Sequence, residues 1–174
     1  LTELIENLLD ASRLQAGVLT IKRADTNLPD LARRTTDSFY TQTGKHTFAV
    51  DFPPGFPILL ADETRLQQVL SNLISNAIKY APGGENRISG RVRADQVVVC
   101  VQDEGPGIAA EDIPHVFDRF YRAPEMARQT KGAGLGLYLT RAIIEAHCGS
   151  IWVDADFHPG TRICFSLPNV GETG

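Results

Sequence analysis

The sequence predicts an α+β two-layer sandwich, one β-sheet with helices on one face. Three observations predict it. Apolar residues recur at helical spacing over 1–16, 62–80 and 137–147. Short segments at 46–52, 87–94, 96–102 and 150–168 read as strands, alternating or continuously apolar. The helices come between strands that read mostly as hairpins, and the order does not follow the regular βαβαβ rhythm of a doubly wound parallel sheet.

Composition sets the bounds. A chain of 174 residues has room for one domain, and 43% apolar residues supply a sizeable core. A net charge of −4 and a pI near 5.5 speak against a general nucleic-acid binder, which usually carries a basic face. No apolar run approaches the roughly 20 residues that cross a bilayer, and no signal peptide is read at the opening. Cys100, Cys148 and Cys164 are odd in number and lack metal-ligand spacing, so they read as reduced thiols in a cytoplasmic setting. The chain opens on Leu1 and its only methionine is Met126, so it reads as a piece of a longer protein.

The elements follow in order. In 1–16, Leu1, Leu4, Ile5, Leu8 and Leu9 form one helical stripe, and Gly17 is a reasonable stop. This is either a packed surface helix or the end of a long dimerising helix. Residues 18–28 read as a short strand and turn, and Pro29 stands where a weaker helix over 30–42 can start. HTFAVDF (46–52) alternates as a strand, and PPGFP (53–57) breaks it. The strong helix at 62–80 has Asp62 as N-cap and a wide stripe from Leu66 to Ile78; PGG (82–84) ends it. Strands at 87–94 and 96–102 lead to the loop DEGPGI (103–108). A short helix is expected at 111–122, and a mobile stretch rich in Gly, Ala and Thr at 123–136. A helix over 137–147 with Gly149 as its C′ residue precedes two closing strands, joined by a turn at His158–Gly160.

Four segments could carry chemistry. At 100° per residue, Asn72, Asn76 and Lys79 fall within about 60° of one another, on the flank of the apolar stripe. Such a position either lines a cleft or is a solvated helix edge. The Asn oxygens suit a hard cation such as Mg²⁺, and Lys79 is a point charge for phosphate. In DEGPGI, Asp103 ends an apolar strand as a buried acceptor for an amino group, and Gly105 and Gly107 permit close approach of a flat ligand; the alternative is an ordinary turn. KGAGLGL (131–137) opens a helix with Gly132, Gly134 and Gly136, leaving backbone N–H groups for an anion. In FDRFYR (117–122), Arg119 and Arg122 could clamp a phosphate, or the segment could simply pack through Phe117 and Phe120. There is no Walker A motif, Rossmann fingerprint, or HRD or DFG motif. His46, His115, His147 and His158 are scattered and read as structural or exposed.

Taken in order, these motifs are specific. NLISNAIKYAP (72–82), DEGPGI, FDRFYR and KGAGLGL resemble the N, G1, F and G2 boxes of sensor histidine kinases. PGTRICFSLP (159–168) resembles the family's closing strand, and LIENLLDASRLQAG (4–17) the end of its second dimerisation helix. The resemblance implies a Bergerat-type ATP-binding fold, shared with gyrase, Hsp90 and MutL (the GHKL ATPases): a mixed sheet with helices on one face and a lid over the nucleotide. It divides the chain into a dimerisation-helix end at 1–16, an ATP-binding domain at 17–170 and a disordered tail at 171–174.

Carried over by motif, Asn76 would bind Mg²⁺, with Asn72 helping through water or phosphate. Lys79 would contact phosphate and Tyr80 would pack on the nucleotide. Asp103 would accept from the adenine 6-amino group, with Thr161 nearby through water. Gly105 and Gly107 would shape the pocket and Ile108 would line it. Arg122 and Tyr121 would reach the phosphates, and the backbone of Gly132, Gly134, Leu135, Gly136 and Leu137 would meet the phosphate tail. Asn76, Lys79 and Arg122 would carry the chemistry. Residues 123–131 would form a lid, poorly ordered without nucleotide.

The family resemblance implies transfer of the ATP γ-phosphoryl to a histidine on a dimerisation domain, then relay to a response regulator. It also implies homodimerisation through the dimerisation helices, and a cytoplasmic domain that could belong to a membrane-anchored sensor. No nucleic-acid partner is expected. The alternatives are a GHKL-type ATPase, which generally carries a Glu where this helix has Asn72, and a nucleotide-sensing module without transfer. Two departures stand out. Cys148 replaces the first Gly of the usual His-Gly-Gly, leaving Gly149 for the left-handed position, and no histidine here has a phosphoacceptor context.

Overall fold

The computed structural model describes residues 2–129 and 132–169. The chain runs α1 (Thr2–Gln15), β1 (Ala24–Thr26), α2 (Leu28–Tyr40), β2 (His46–Asp51), β3 (Leu59–Ala61), α3 (Glu63–Tyr80), β4 (Gly84–Arg93), β5 (Gln96–Gln102), a 3₁₀ turn (Ile113–His115), α4 (Pro124–Gln129), α5 (Gly136–Ala146), β6 (Ser150–Val153) and β7 (Arg162–Pro168). The expected tail at 171–174, along with Thr130 and Lys131, lies outside the described residues.

Local chemistry starts the helices. Asn27 caps α2 by accepting from the Asp30 N–H at 3.1 Å, and Pro29 stands in the first turn. The helix therefore begins two residues before the expected start at 30. Asp62 caps α3 through Oδ1, which accepts from the Arg65 N–H at 3.2 Å.

The main sheet has the order β2-β4-β5-β7-β6. β4–β5 and β6–β7 are antiparallel neighbours in sequence, as hairpin reading expects. β2 instead pairs parallel with β4, because α3 lies between them and carries the chain back to the same end. The result is the mixed sheet that the resemblance implies. β1 and β3 form a separate antiparallel pair. β3 was not expected, and its three residues are too short to show periodicity.

The core lies between α2, α3 and α5 and one sheet face. Leu66, Val69, Leu70 and Ile74 of α3 meet Ile88, Val97, Val99 and Phe165 of the sheet, each at most 1% exposed. Each such side chain contributes about 1.5–3 kcal/mol, which anchors α3 firmly at the sheet centre.

Four expectations are corrected. Over 111–122 only Ile113–His115 is helical: Pro114 lacks an N–H, and Phe120 turns left-handed at φ 64°. Within 123–136, Pro124–Gln129 forms a short helix. After α5 the left-handed residue is Cys148 (φ 63°), not Gly149. Gly149 is needed for another reason: a Cβ there would lie 2.0 Å from the Ser166 carbonyl oxygen. Finally, Cys100 and Cys164 form a disulfide, correcting the reading of three reduced thiols. They are directly opposite in the β5–β7 register, a neighbourhood set by non-sequential strands and invisible in spacing.

Candidate functional site

A cavity of about 470 Å³ opens beside α3, within the range of small-molecule sites. Its polar groups sit at two ends. At one end is Asp103, at the end of β5 and 8% exposed. Its Oδ1 accepts from the Gly105 N–H at 2.8 Å and the Thr161 N–H at 3.2 Å. Burial pushes the carboxyl above its usual range; those two N–H groups and the charge of His46 act in the opposite sense. The apolar floor beside it is Val101 and Ile163, with Leu73 and Ala77 from α3.

The glycines around Asp103 act through space rather than as lining. A Cβ on Gly105 would sit 3.0 Å from Asp103 Oδ1 and 3.2 Å from the Ala81 Cα. A Cβ on Gly160 would sit 2.0 Å from the Asp103 carbonyl oxygen, at φ 110°. Gly160 thus shapes the site as much as Gly105 and Gly107, neither of which lines the cavity, while Ile108 and Thr161 do.

At the other end α3 presents Asn72, Asn76, Lys79 and Tyr80 to the cavity, so the flank geometry read from the sequence does line a cleft. Asn72 is buried, and its amide donates to the Gly136 carbonyl and Thr140 Oγ1, both at 3.3 Å. It thereby ties α3 to the first turn of α5. Asn76 and Tyr80 are half-buried and Lys79 is exposed.

The glycine loop faces these residues. Gly132, Gly134, Leu135, Gly136 and Leu137 line the cavity. Leu135, 2% exposed, anchors the loop against Ala11 and Leu139. Gly134, at φ 71°, lies so close to the Phe120 and Tyr121 backbone that a Cβ would come within 2.7 Å. Leu135, the N-cap of α5, makes no side-chain cap hydrogen bond, and with Gly136 and Leu137 lining the cavity the positive end of the helix dipole lies at this wall. Tyr121 and Arg122 complete this wall. The Tyr121 hydroxyl donates to Asp112, which holds its pKa above the ordinary value and leaves the ring as its contribution to the wall.

Sequence reading missed Val101, Ile163, Leu73 and Ala77, which look like ordinary core positions. It also missed Leu4 and Asn7, through which α1 reaches the cavity rim. Asp103 is the single carboxylate among the described lining residues.

Residues 61–171 match the family described as histidine kinase-, DNA gyrase B- and HSP90-like ATPases. Adaptive-response sensory kinase SasA of Synechococcus sp. (strain JA-2-3B'a(2-13)) is 37% identical over 95% of this chain and 45% of its own length. Sensor histidine kinase WalK of Bacillus subtilis (strain 168) is 34% identical over 95% of this chain and 28% of its own length. The chain therefore spans less than half of either relative. Among solved structures, full-length ShkA in complex with AMPPNP matches with a TM-score of 0.83 and 27% identity, over 95% of this chain and 35% of that one. Histidine kinase ThkA in complex with the response regulator protein TrrA matches with a TM-score of 0.77 and 26% identity, over 99% of this chain and 50% of that one. The chain belongs to the histidine kinase-, DNA gyrase B- and HSP90-like ATPase family, and within it to the catalytic domains of the sensor histidine kinases.

Proposed function

We propose that the cavity binds Mg·ATP, and that the chain transfers the γ-phosphoryl to a histidine of a dimerisation domain for relay to a response regulator. The observation that carries this reading is one cavity with an amino-group acceptor at one end and an uncapped helix N-terminus beside Lys79 and Arg122 at the other. In this reading Asp103 Oδ2 accepts from the adenine 6-amino group, while Oδ1 stays with Gly105 and Thr161. Val101, Ile163 and Ala77 enclose the base, and Tyr80 packs against the nucleotide. The N–H groups of Gly132 to Leu137 hold the phosphates, with Lys79 and Arg122 as point charges.

The donor set suits Mg²⁺. Among the described residues no group of three His, Cys, Asp or Glu could hold a metal alone. A half-buried Asn76 oxygen fits an ion that keeps its waters and shares phosphate oxygens. When bound, the ion neutralises phosphate charge; Asn76 positions it. Transfer breaks the bond from γ-phosphorus to the ADP oxygen and makes one to an imidazole nitrogen, and the imidazole proton leaves to solvent. The protein's part is positioning and charge neutralisation.

Kinase rather than hydrolase is favoured at Asn72. It is neutral and engaged with α5, and among the described lining residues no carboxylate stands near the phosphate end to activate water. The relatives' names and the ThkA–TrrA complex support the response-regulator partner. Leu4, Ile5, Leu8 and Leu9 leave an apolar stripe of α1 40–53% exposed, which supports dimerisation through this helix. A need for ATP and a response regulator supports a cytoplasmic setting. The test mixes the chain with Mg·[γ-³²P]ATP and a separate dimerisation domain that carries a phosphoacceptor histidine. Phosphohistidine is expected, with slow hydrolysis by the chain alone. ATP binding without phosphohistidine would contradict kinase competence.

A further inference from the structure

Asn86 lies in β4 and is 1% exposed, yet neither Nδ2 nor Oδ1 has a hydrogen-bond partner among the described residues. Its place in the sheet gives that vacancy of partners a meaning. On one side Asn86 is in register with Phe48 of β2. On the other, Arg87 pairs with Gln102, so the next step along the two chains sets Asn86 opposite Asp103. The chains stay together there: the Glu85 N–H donates to Glu104 Oε2 at 3.3 Å.

Alternation fixes the face. Ile88 and Val101 are paired, and both are buried in the core under the helices. Two residues along, Asn86 and Asp103 share that face. Opposite side chains on one face have Cβ atoms roughly 4.5–5.5 Å apart. A carboxamide that can donate twice and accept thus stands beside the buried carboxylate of the adenine end. Its row, Phe48, Asn86, Asp103 and Thr161, is the polar neighbour of the apolar row of Val50, Ile88, Val101 and Ile163. Buried polar groups are paired with protein or with water, and an internal water typically makes about three hydrogen bonds to groups otherwise unsatisfied.

We propose that Asn86 is a positioning residue of the adenine end: its carboxamide holds an internal water that hydrogen-bonds the Asp103 carboxylate and sets how that carboxylate presents itself to the 6-amino group. This rests on the Mg·ATP reading above. Burial disfavours the charged form of Asp103, and two backbone N–H groups offset that only in part; a water donor from the Asn86 side supplies further stabilisation of the carboxylate. Asn86 touches no ligand. It acts through Asp103, so its effect belongs to recognition of the amino group and not to nucleotide binding in general.

The test uses this chain and two nucleotides with Mg²⁺: ATP, and purine riboside triphosphate, which lacks the 6-amino group. Calorimetric titration gives the preference between them. Asn86→Leu keeps the volume and removes the hydrogen bonds. It is expected to weaken ATP about 10-fold, to leave purine riboside triphosphate within about 2-fold, and not to lower the thermal midpoint. Asn86→Ser, which keeps a partner for the water, is expected to recover most of the preference. A wild-type preference retained in Asn86→Leu would overturn the inference. An independent readout is the ¹⁵N-labelled Asn86 side-chain amide, which should show a cross-peak to a long-lived water in the unmodified chain; absence of that signal overturns the inference whatever the variants do. Failure of the unmodified chain to bind ATP would count against the Mg·ATP reading, and the water signal would still judge Asn86.

Discussion

In the proposed Mg·ATP reading, Asp103 gives up stability for recognition. Its folded-state pKa is raised, so its contribution to stability is full below the ordinary 3.8 and is lost as pH rises through the raised value. At neutral pH the ionised carboxylate is therefore a cost to the ligand-free chain. Asp103→Asn keeps the acceptor for Gly105 and Thr161 but removes the charge. It should leave the thermal midpoint at pH 7 unchanged or raised, while ATP binds about 10- to 100-fold more weakly, as expected for a hydrogen bond to a charged group. Thermal melts and calorimetric titrations of the same variant check both halves; a lower midpoint with unchanged affinity would contradict them. Cys148 makes a second case. It holds the left-handed position of a Schellman closure, its N–H donating to Glu145 and that of Gly149 to Ile144, both at 2.9 Å. Cys148→Gly relieves a left-handed penalty of roughly 1–2 kcal/mol against a glycine entropy cost of roughly 0.5–1 kcal/mol, so it should stabilise the chain by up to about 1 kcal/mol in urea unfolding. Asp103 and Asn76 both line the cavity. They were legible as candidates from their place at the end or flank of an apolar segment, and the ordered family motifs, rather than the pattern alone, favoured a cleft over an ordinary turn or a solvated edge. The left-handed Cys148 and the shape role of Gly160 were not, because both depend on which strand lies alongside.

At the scale of elements, His147 joins two helices. Its Nδ1–H donates to the Ile143 carbonyl at 2.8 Å, and its Nε2 accepts from the Asp62 N–H at 3.0 Å. The end of α5 is thereby tied to the start of α3, the two helices that hold the glycine loop and the Asn72–Asn76 flank. Burial, first of all, lowers the imidazole pKa below 6.5. This histidine therefore contributes stability that is present above pH 6.5 and lost as pH falls from there toward the lowered value. Unfolding free energy should decline between pH 7 and 5.5, and decline less in His147→Ala. At pH 7 that variant should lose about 1–3 kcal/mol, because it leaves the buried Asp62 N–H unpaired. The long helices α3 and α5 were legible in the sequence because burial against a sheet imposes an apolar stripe. The segment 111–122 was misread as helix because Val116 and Phe117 pack inward without one, while Phe120 stays exposed and Pro114 and the left-handed backbone at Phe120 exclude a continuous helix.

Across the whole molecule, the order β2-β4-β5-β7-β6 brings the end of β5 and the start of β7 together under α3, and Asp103 and Thr161, which flank these two strand ends, meet there at the cavity. The hairpins were legible as neighbouring apolar runs. The β5–β7 and β2–β4 pairings were not, since each joins strands separated by a helix; the ordered motifs carried that information instead. The same pairing brings Cys100 to Cys164, 64 residues apart. Closing a loop of that length stabilises by about 2–4 kcal/mol, so a reductant should lower the thermal midpoint and raise the thiol count from one, Cys148, to three. In a cytoplasmic setting thiol buffers would press that pair toward the reduced state. α1 is held on one side by Asp10, which accepts from Arg65 at 3.1 Å and Gln68 at 3.0 Å, and leaves its apolar stripe on the other. The account stands on the claim that the cavity is an Mg·ATP site organised by α3. Calorimetric titration of the chain with ATP, with and without Mg²⁺, beside Asn76→Ala, tests it most directly. One-to-one binding that strengthens with Mg²⁺, and loses that dependence in Asn76→Ala at an unchanged thermal midpoint, is the predicted result. No binding, or the same Mg²⁺ dependence in the variant, would contradict it.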